Sequence, residues 1–513
     1  MSKFLHILSV ALLLIAFIGC EKKPVDDGGK TPEEPVFERY QKNQQCSINI
    51  VKGYLYHHVL LPAEYNDDEE TRYPVVYMLH GYGETISTWD KGWVSLIQSL
   101  EAAGLPPMIY VFPTGWDSYY CNAVEGGRQY MDMFIQEFVP YIDKNYRTIA
   151  DREHRAVMGY SMGGFGAMAL PLRNPDIFGA SVPLSMSFRT DEQYMTEPAG
   201  GWDYQWGEIF GGKGLTGADR LTDYYKSHCP FYQFVPENKE SLSRVKWFFH
   251  CGDNEEQLLI ANDNLHVQLR DNGYDHEFRI GDGGHSDGYW RNAAKEALPW
   301  LSHVMNEGGE WDRSMTDVTV VSSELNEDGS FSSKAYKESE TKGGLAIYLA
   351  YRGVDAEVIE KMMGLLSQKG GIFPYMILPC DLDSKTLTDW MGEYSTEYNV
   401  GMTVDASHVI ALGDAGRDVW NIKDRFSRYY FIDADIAEDE STITADKDRF
   451  YYIDQTDDGA NYRDMNALYR ACMKVIPHID DRNFEYRMRN GLEDKEKELL
   501  LAAKSVADNL KFE

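Results

Sequence analysis

Short apolar runs, each closed by a glycine or polar turn and followed by a helically spaced segment, recur through roughly the first three hundred residues of this chain. Residues 73–79 read Tyr-Pro-Val-Val-Tyr-Met-Leu, and comparable runs occupy 54–61, 107–112, 155–159, 178–184, 245–250 and 276–280. Most of these do not alternate polar with apolar side chains, so the strands they form have to be covered on both faces. The segments at 93–103, 130–146, 263–272 and 290–305 have helical spacing, with apolar residues three and four apart. Buried strands alternating with helices define an α/β fold, a mostly parallel sheet between two helical layers.

Charge narrows the function classes. The 513 residues carry 50 Lys+Arg against 82 Asp+Glu, a net charge of −32. A nucleic-acid binder needs a basic face, so no nucleic acid is expected as partner. Binding to anionic lipid by charge is excluded on the same ground. The first twenty residues form a signal-peptide pattern: Lys3, an apolar run over 4–18, then Gly19 and Cys20. The run is too short for a comfortable span, and Phe17-Ile18-Gly19-Cys20 resembles a lipoprotein signal in which Cys20 receives the lipid. Residues 21–40 then read as a Pro/Gly-rich polar tether. The expectation is an exported cell-envelope protein that meets the membrane only through its N-terminal lipid. Six further cysteines form no CxxC pair, which leaves room for a disulfide or two in an oxidising compartment.

The chemistry gathers at the ends of the apolar runs. Gly159-Tyr160-Ser161-Met162-Gly163-Gly164 follows one run and opens a glycine-rich helix, as a nucleophile elbow requires. Glycines on both sides let a sharp turn close around Ser161 and expose its hydroxyl. Serine is a weak nucleophile until a base takes its proton. His285, in Gly283-Gly284-His285, stands between the run at 276–280 and the last helix, and is the candidate base. A carboxylate is needed to orient that imidazole. Cys251-Gly252-Asp253-Asn254-Glu255-Glu256 follows the run at 245–250 and offers three acids, and position alone does not choose among them. The backbone N–H groups of Met162 and Tyr82, the latter in His80-Gly81-Tyr82-Gly83, are the candidate oxyanion donors. His80 is read as shaping that loop. Asp433-Ala434-Asp435 lacks the sixth-position glycine of a calcium loop, and neither metal nor cofactor is expected.

Residues of about 45–305 resemble the carbohydrate esterase family that includes feruloyl and acetyl xylan esterases, related to esterase D and S-formylglutathione hydrolase. The resemblance rests on Leu79-His80-Gly81-Tyr82-Gly83 with Trp89, on Phe138-Val139-Pro140-Tyr141-Ile142-Asp143 with Tyr146, and on the Ser161 elbow. It rests also on Cys251-Gly252-Asp253-Asn254-Glu255 and on Gly283-Gly284-His285 with Trp290. It implies an α/β-hydrolase sandwich and a serine carboxylesterase. In that family the acid lies three residues after the glycine, which favours Glu255 over Asp253. The implied substrates are feruloylated or acetylated polysaccharides or oligosaccharides. Trp89, Trp116 and Trp202 are candidate walls for a hydroxycinnamoyl ring or a sugar face, the last within a long insertion at 191–230 that reads as a lid.

The remainder of the chain echoes the first half. Residues 345–349, 373–379, 408–413, 429–432 and 484–488 echo the runs ending near residues 79, 113, 159, 250 and 280. The domain reading is therefore a signal at 1–20, a tether at 21–40, a catalytic domain at 41–306 and a degenerate α/β-hydrolase-like domain at 307–513. In the second copy Gly413-Asp414-Ala415-Gly416 has no elbow serine, Glu493 matches His285, and Ala350-Tyr351-Arg352-Gly353 replaces the oxyanion loop. Its expected role is structural, dimerising or glycan-binding, and a homodimer is among the expectations.

Overall fold

The computed structural model describes residues 37–308 except 125, and 345–510 except 369–374, 383–385, 390, 393–406 and 476–483. The signal peptide, Cys20 and most of the tether lie outside the described residues.

Fourteen strands form one sheet in the order β1-β2-β4-β3-β5-β6-β7-β8-β14-β13-β12-β11-β9-β10. The strands β3 (Val75–Leu79), β4 (Ile109–Pro113), β5 (Arg155–Tyr160) and β6 (Ala180–Leu184) are buried along their whole length, as runs without alternation have to be. β7 (Lys246–Gly252) and β8 (Glu277–Gly281) extend the same parallel array. Ahead of them β2 (Gly53–Leu60) pairs antiparallel with β4, and β1 (Tyr40–Ile48) antiparallel with β2. Helices Trp93–Ala102 and Asp287–Asn306 cover one face, where Trp93, Trp290 and Leu298 meet Met78, Tyr110 and Val182 in a common core. The helix Met162–Arg173 packs against β5, β6 and β3.

β9 (Leu345–Tyr351), β10 (Tyr375–Asp381), β11 (Ser407–Leu412), β12 (Arg428–Ile432), β13 (Phe450–Thr456) and β14 (Phe484–Arg489) form a second parallel array. Counted from the first parallel strand of each array, both have the spatial order 2-1-3-4-5-6. In that order β12 stands where β6 does, and β13 where β7 does. The residues at 429–432 thus take the place of 180–184 and not of 247–250, and the true counterpart of β7 is β13.

The two arrays meet at their sixth strands, β8 and β14, which run antiparallel with Ile280 opposite Met488. The regions expected as separate domains at 41–306 and 307–513 share this continuous sheet, and the chain from Arg39 onward forms a single unit. All six described cysteines are buried thiols, so the disulfides considered from composition are not formed among them. Among the described residues, no helix is long and apolar enough to cross a membrane.

Candidate active site

The strand β5 delivers its chain into a turn that only close packing can hold. Ser161 has φ 57° and ψ −119°, a backbone conformation that costs a non-glycine residue about 1–3 kcal/mol. Three hydrogen bonds hold it there. The Ser161 N–H donates to the Leu184 carbonyl at 3.0 Å, and the Ser161 carbonyl accepts from the N–H groups of Phe165 and Ser187, each at 3.0 Å. The glycines are needed for space. A Cβ on Gly163 would lie 2.0 Å from the Leu79 carbonyl oxygen, and one on Gly159 would lie 2.4 Å from the carbonyl oxygen of Gly163.

From Ser161 a hydrogen-bonded chain runs to the loops after β7 and β8. Ser161 Oγ lies 2.8 Å from His285 Nε2, and His285 Nδ1 lies 2.7 Å from Glu255 Oε2. The geometry suits a neutral imidazole that donates from Nδ1 to the carboxylate and accepts from the serine at Nε2. The Glu255 side chain is completely buried, whereas that of His285 is 37% exposed. The other Glu255 oxygen accepts the Gly252 N–H at 2.9 Å and the Ser185 hydroxyl. Ser185 in turn accepts the indole N–H of Trp290 at 2.7 Å. The Trp290 ring stands edge-on to His285, with centroids 4.8 Å apart at 89°. Ser185 carried no signal in the sequence, because a lone serine after a buried strand is ordinary. Trp290 was visible only as part of a motif.

Asp253, the runner-up acid, does not face His285. It is buried, accepts the Gly283 N–H on Oδ1 at 3.1 Å, and pairs with Arg487 from the second half. Glu256 is the N-cap of the next helix, Gln257–Asp271.

The loop carrying Tyr82 is set by its neighbours. His80 is buried and hydrogen-bonds at both ring nitrogens, with Nδ1 2.9 Å from the Gly81 carbonyl and Nε2 accepting the Gly115 N–H at 2.8 Å. Burial lowers its pKa, so it stays neutral and rigid. The N–H groups of Gly81 and Gly83 donate to Glu84 and Asp117 at 2.9 and 2.8 Å. Among the described residues no acceptor is bonded to the N–H of Tyr82 between them. Met162 is the first residue of its helix, where N–H groups have no partner within the helix.

A cavity of about 680 Å³ adjoins Tyr82, between that loop and the 191–230 insertion. Arg128, Asp117, Asp203, Tyr204 and Lys213 line it. Two of the expected aromatic walls are not there. Trp89 is fully buried against Trp93, Phe112 and Tyr160, because the turn carrying it folds inward over the sheet. Trp202 is fully buried inside the insertion against Tyr194 and the Arg220 guanidinium, where it forms part of that segment's own core. Trp116 is half-buried, with the Arg128 guanidinium 4.3 Å over its ring. Tyr204 of the same insertion, 75% exposed and edge-on to Tyr82, is an aromatic that does line the cavity.

The sheet order, the elbow and the Ser161–His285–Glu255 chain define an α/β-hydrolase. Residues 50–301 match the Esterase family model, described as "Putative esterase". The endo-1,4-beta-xylanase/feruloyl esterase of Xylanibacter ruminicola is 36% identical over 130 residues, 24% of this chain and 18% of that protein. An esterase of Mycobacterium tuberculosis is 29% identical over 243 residues, 44% of this chain and 51% of that one. The chain thus spans about half or less of those relatives' lengths. A solved ferulic acid esterase is 29% identical, with TM-score 0.43, over 51% of this chain and 96% of that one.

Proposed function

We propose that the chain is a serine carboxylic-ester hydrolase that releases feruloyl or related hydroxycinnamoyl groups from plant cell-wall xylan. The observation that carries this reading is the unbroken hydrogen-bonded chain from Ser161 through His285 to Glu255. In this mechanism Ser161 Oγ attacks the ester carbonyl while His285 Nε2 takes its proton. Glu255 holds the imidazole in the Nδ1–H tautomer and stabilises the imidazolium. The N–H groups of Tyr82 and Met162 receive the developing oxyanion. His285 then protonates the departing sugar oxygen, and a water activated by the same imidazole releases the acid and restores Ser161. Every group in this route is supplied by the chain. The feruloyl preference is supported by the name of the Xylanibacter relative. An acetyl ester on the same polysaccharide uses the same machinery.

The second array is proposed as a degenerate copy that does no chemistry, supported by its matching strand order and by Gly413 and Glu493 at the elbow and base positions. Export and lipidation at Cys20 belong to the same proposal and rest on the N-terminal sequence pattern. The test is hydrolysis of methyl ferulate. Wild type is expected to turn it over, and Ser161→Ala to lose about 10⁴-fold or more in kcat. Equal rates for the two would overturn the reading. Loss of lipid labelling in Cys20→Ala checks the anchor.

A further inference from the structure

The join between the two arrays is built twice, with the halves exchanging roles. Arg487 on β14 pairs with Asp253 after β7, and Arg279 on β8 pairs with Asp457 after β13, the latter at 2.6 Å. Each arginine also holds a glutamate two residues earlier on its own strand, Arg279 with Glu277 at 2.8 Å and Arg487 with Glu485 at 3.0 Å. Each aspartate accepts one backbone N–H from the facing strand, Tyr486 to Asp253 and Phe278 to Asp457, both at 3.3 Å. Each then reaches a glycine in its own half. Asp253 Oδ1 accepts the Gly283 N–H, and Asp457 Oδ1 accepts the Gly491 N–H, both at 3.1 Å. This is the isologous pattern of a two-fold dimer, made within a single chain.

The two versions of this contact differ in what they hold. Two residues after Asp253 comes Glu255, and two after Gly283 comes His285. Two residues after Asp457 comes Gly459, and two after Gly491 comes Glu493. Asp253 therefore ties the acid turn to the base turn in the half that bears Ser161. Its backbone N–H adds a second tie, to the Gly281 carbonyl at 2.9 Å. Asp253, Asp282 and Glu485 lie close enough together to hold a cation, and Arg487 reaches all three.

We propose that Arg487, contributed by the second half, is a positioning residue for ester hydrolysis: by neutralising Asp253 it holds the Asp253–Glu255 turn against the Gly283–His285 turn and so sets the reach of His285 to Ser161. The inference rests on the hydrolase reading above. Without the guanidinium, Asp253 is a buried carboxylate with no countercharge from Arg487 and draws water or shifts away. A displacement of about 1 Å in a catalytic group can cost about a hundredfold in rate. The second half is on this account a built-in partner whose sixth strand caps the sheet edge and braces the live site.

The mirrored contact supplies the control. In the full chain, Arg487→Met and Arg279→Met each remove one half of the same interface, and both are expected to lower the unfolding midpoint. Only Arg487→Met is expected to lower kcat on methyl ferulate, by roughly ten- to a hundredfold with KM within about twofold. Arg279→Met is expected to keep kcat within about twofold, and Arg487→Lys to recover part of the loss. Equal kcat losses in the two methionine variants would reduce Arg487 to a stability contact, and an unchanged kcat in Arg487→Met would remove any role. If that variant does not fold, Asp253→Asn keeps the side chain's shape while dropping its charge. It is expected to lower kcat with KM held, and an unchanged kcat overturns the proposal. Absence of Ser161-dependent hydrolysis in wild type overturns the hydrolase reading and this one with it. Activity in wild type alongside insensitivity to Arg487→Met overturns only this one.

Discussion

The same strand order is used twice in this chain, and the two elbows show what distinguishes a working copy. After β5 the backbone strain falls on Ser161, at φ 57°. After β11 the positive φ falls on Gly413, at 49°, and Asp414 rests in the ordinary helical region at φ −61° and ψ −19°. Gly413 has the backbone partners that correspond to those of Ser161, takes the left-handed conformation without the cost serine bears, and presents no hydroxyl. One strand further along the halves agree. Ser185 follows β6 with φ 44°, and Asp433 follows β12 with φ 42°. Both kinks belong to the architecture, and the two halves differ in the serine carried at the first.

The sharpest way to break this comparison is to rebuild the blank site. Gly413→Ser combined with Glu493→His supplies a nucleophile and a base to the second half, where Gly459 stands in the place of Glu255. Placed in a Ser161→Ala background, the pair is expected to restore no hydrolysis of nitrophenyl acetate above the roughly 10⁴-fold loss of the single variant. Recovery of measurable turnover would show that the carboxylate orienting the base is dispensable. Next in size is Glu255→Gln, which keeps the shape and removes the charge that fixes the His285 tautomer. It is expected to cost about 10³- to 10⁴-fold in kcat. A loss under tenfold would point to another carboxylate.

Two glycine substitutions sharpen the contrast at the level of stability. Gly163→Ala forces a Cβ against the Leu79 carbonyl and is expected to cost about 3 kcal/mol or more by denaturant unfolding, from steric displacement of the packed helix. Gly413→Ala meets nothing within 4 Å and bears only its positive φ, which costs about 1 kcal/mol. Similar costs for both would contradict the tighter packing of the live elbow.

The smallest effect lies between the halves. Asp263 on the Gln257–Asp271 helix is buried and accepts from Asn466 at 2.6 Å and Tyr486 at 3.3 Å. Burial pushes its carboxyl up to about 7. The native chain then holds a proton that the unfolded chain has released from roughly pH 4 upward. Stability from this group is complete below roughly pH 4 and is lost as pH rises through 7. Asp263→Asn is expected to flatten that decline and to gain about 1–2 kcal/mol at pH 8 relative to wild type, read from unfolding curves. An unchanged pH slope would contradict it.

What the sequence made legible follows from how strongly each feature is expressed in single residues. The strands β3 to β7 are apolar runs, and the serine elbow is a compact pattern. Glu255 needed the resemblance, since three acids within four residues satisfy the same order. β1 escaped notice because Tyr-Gln-Lys-Asn-Gln-Gln-Cys-Ser-Ile is a polar edge strand with few buried positions. β13 was passed over because its run ends in the buried polar residues Asp454 and Gln455, whose partners include Arg489 for the aspartate and Tyr486 for the glutamine, both distant in sequence. Trp89 and Trp202 misled because a tryptophan in a turn reads alike whether it faces a ligand or the core. The arginine clamp was illegible for a different reason. Arg487 and Asp253 lie 234 positions apart, and only the antiparallel meeting of β8 and β14 brings them together.

The central claim is that one half of the chain carries an activated serine and the other does not. Mass-spectrometric mapping of the intact protein after exposure to a fluorophosphonate tests it most directly, since such reagents form a covalent adduct with activated serines. A single adduct on Ser161, lost in His285→Ala, is the result this account requires. An unlabelled Ser161, or an adduct on a residue beyond 345, would contradict it.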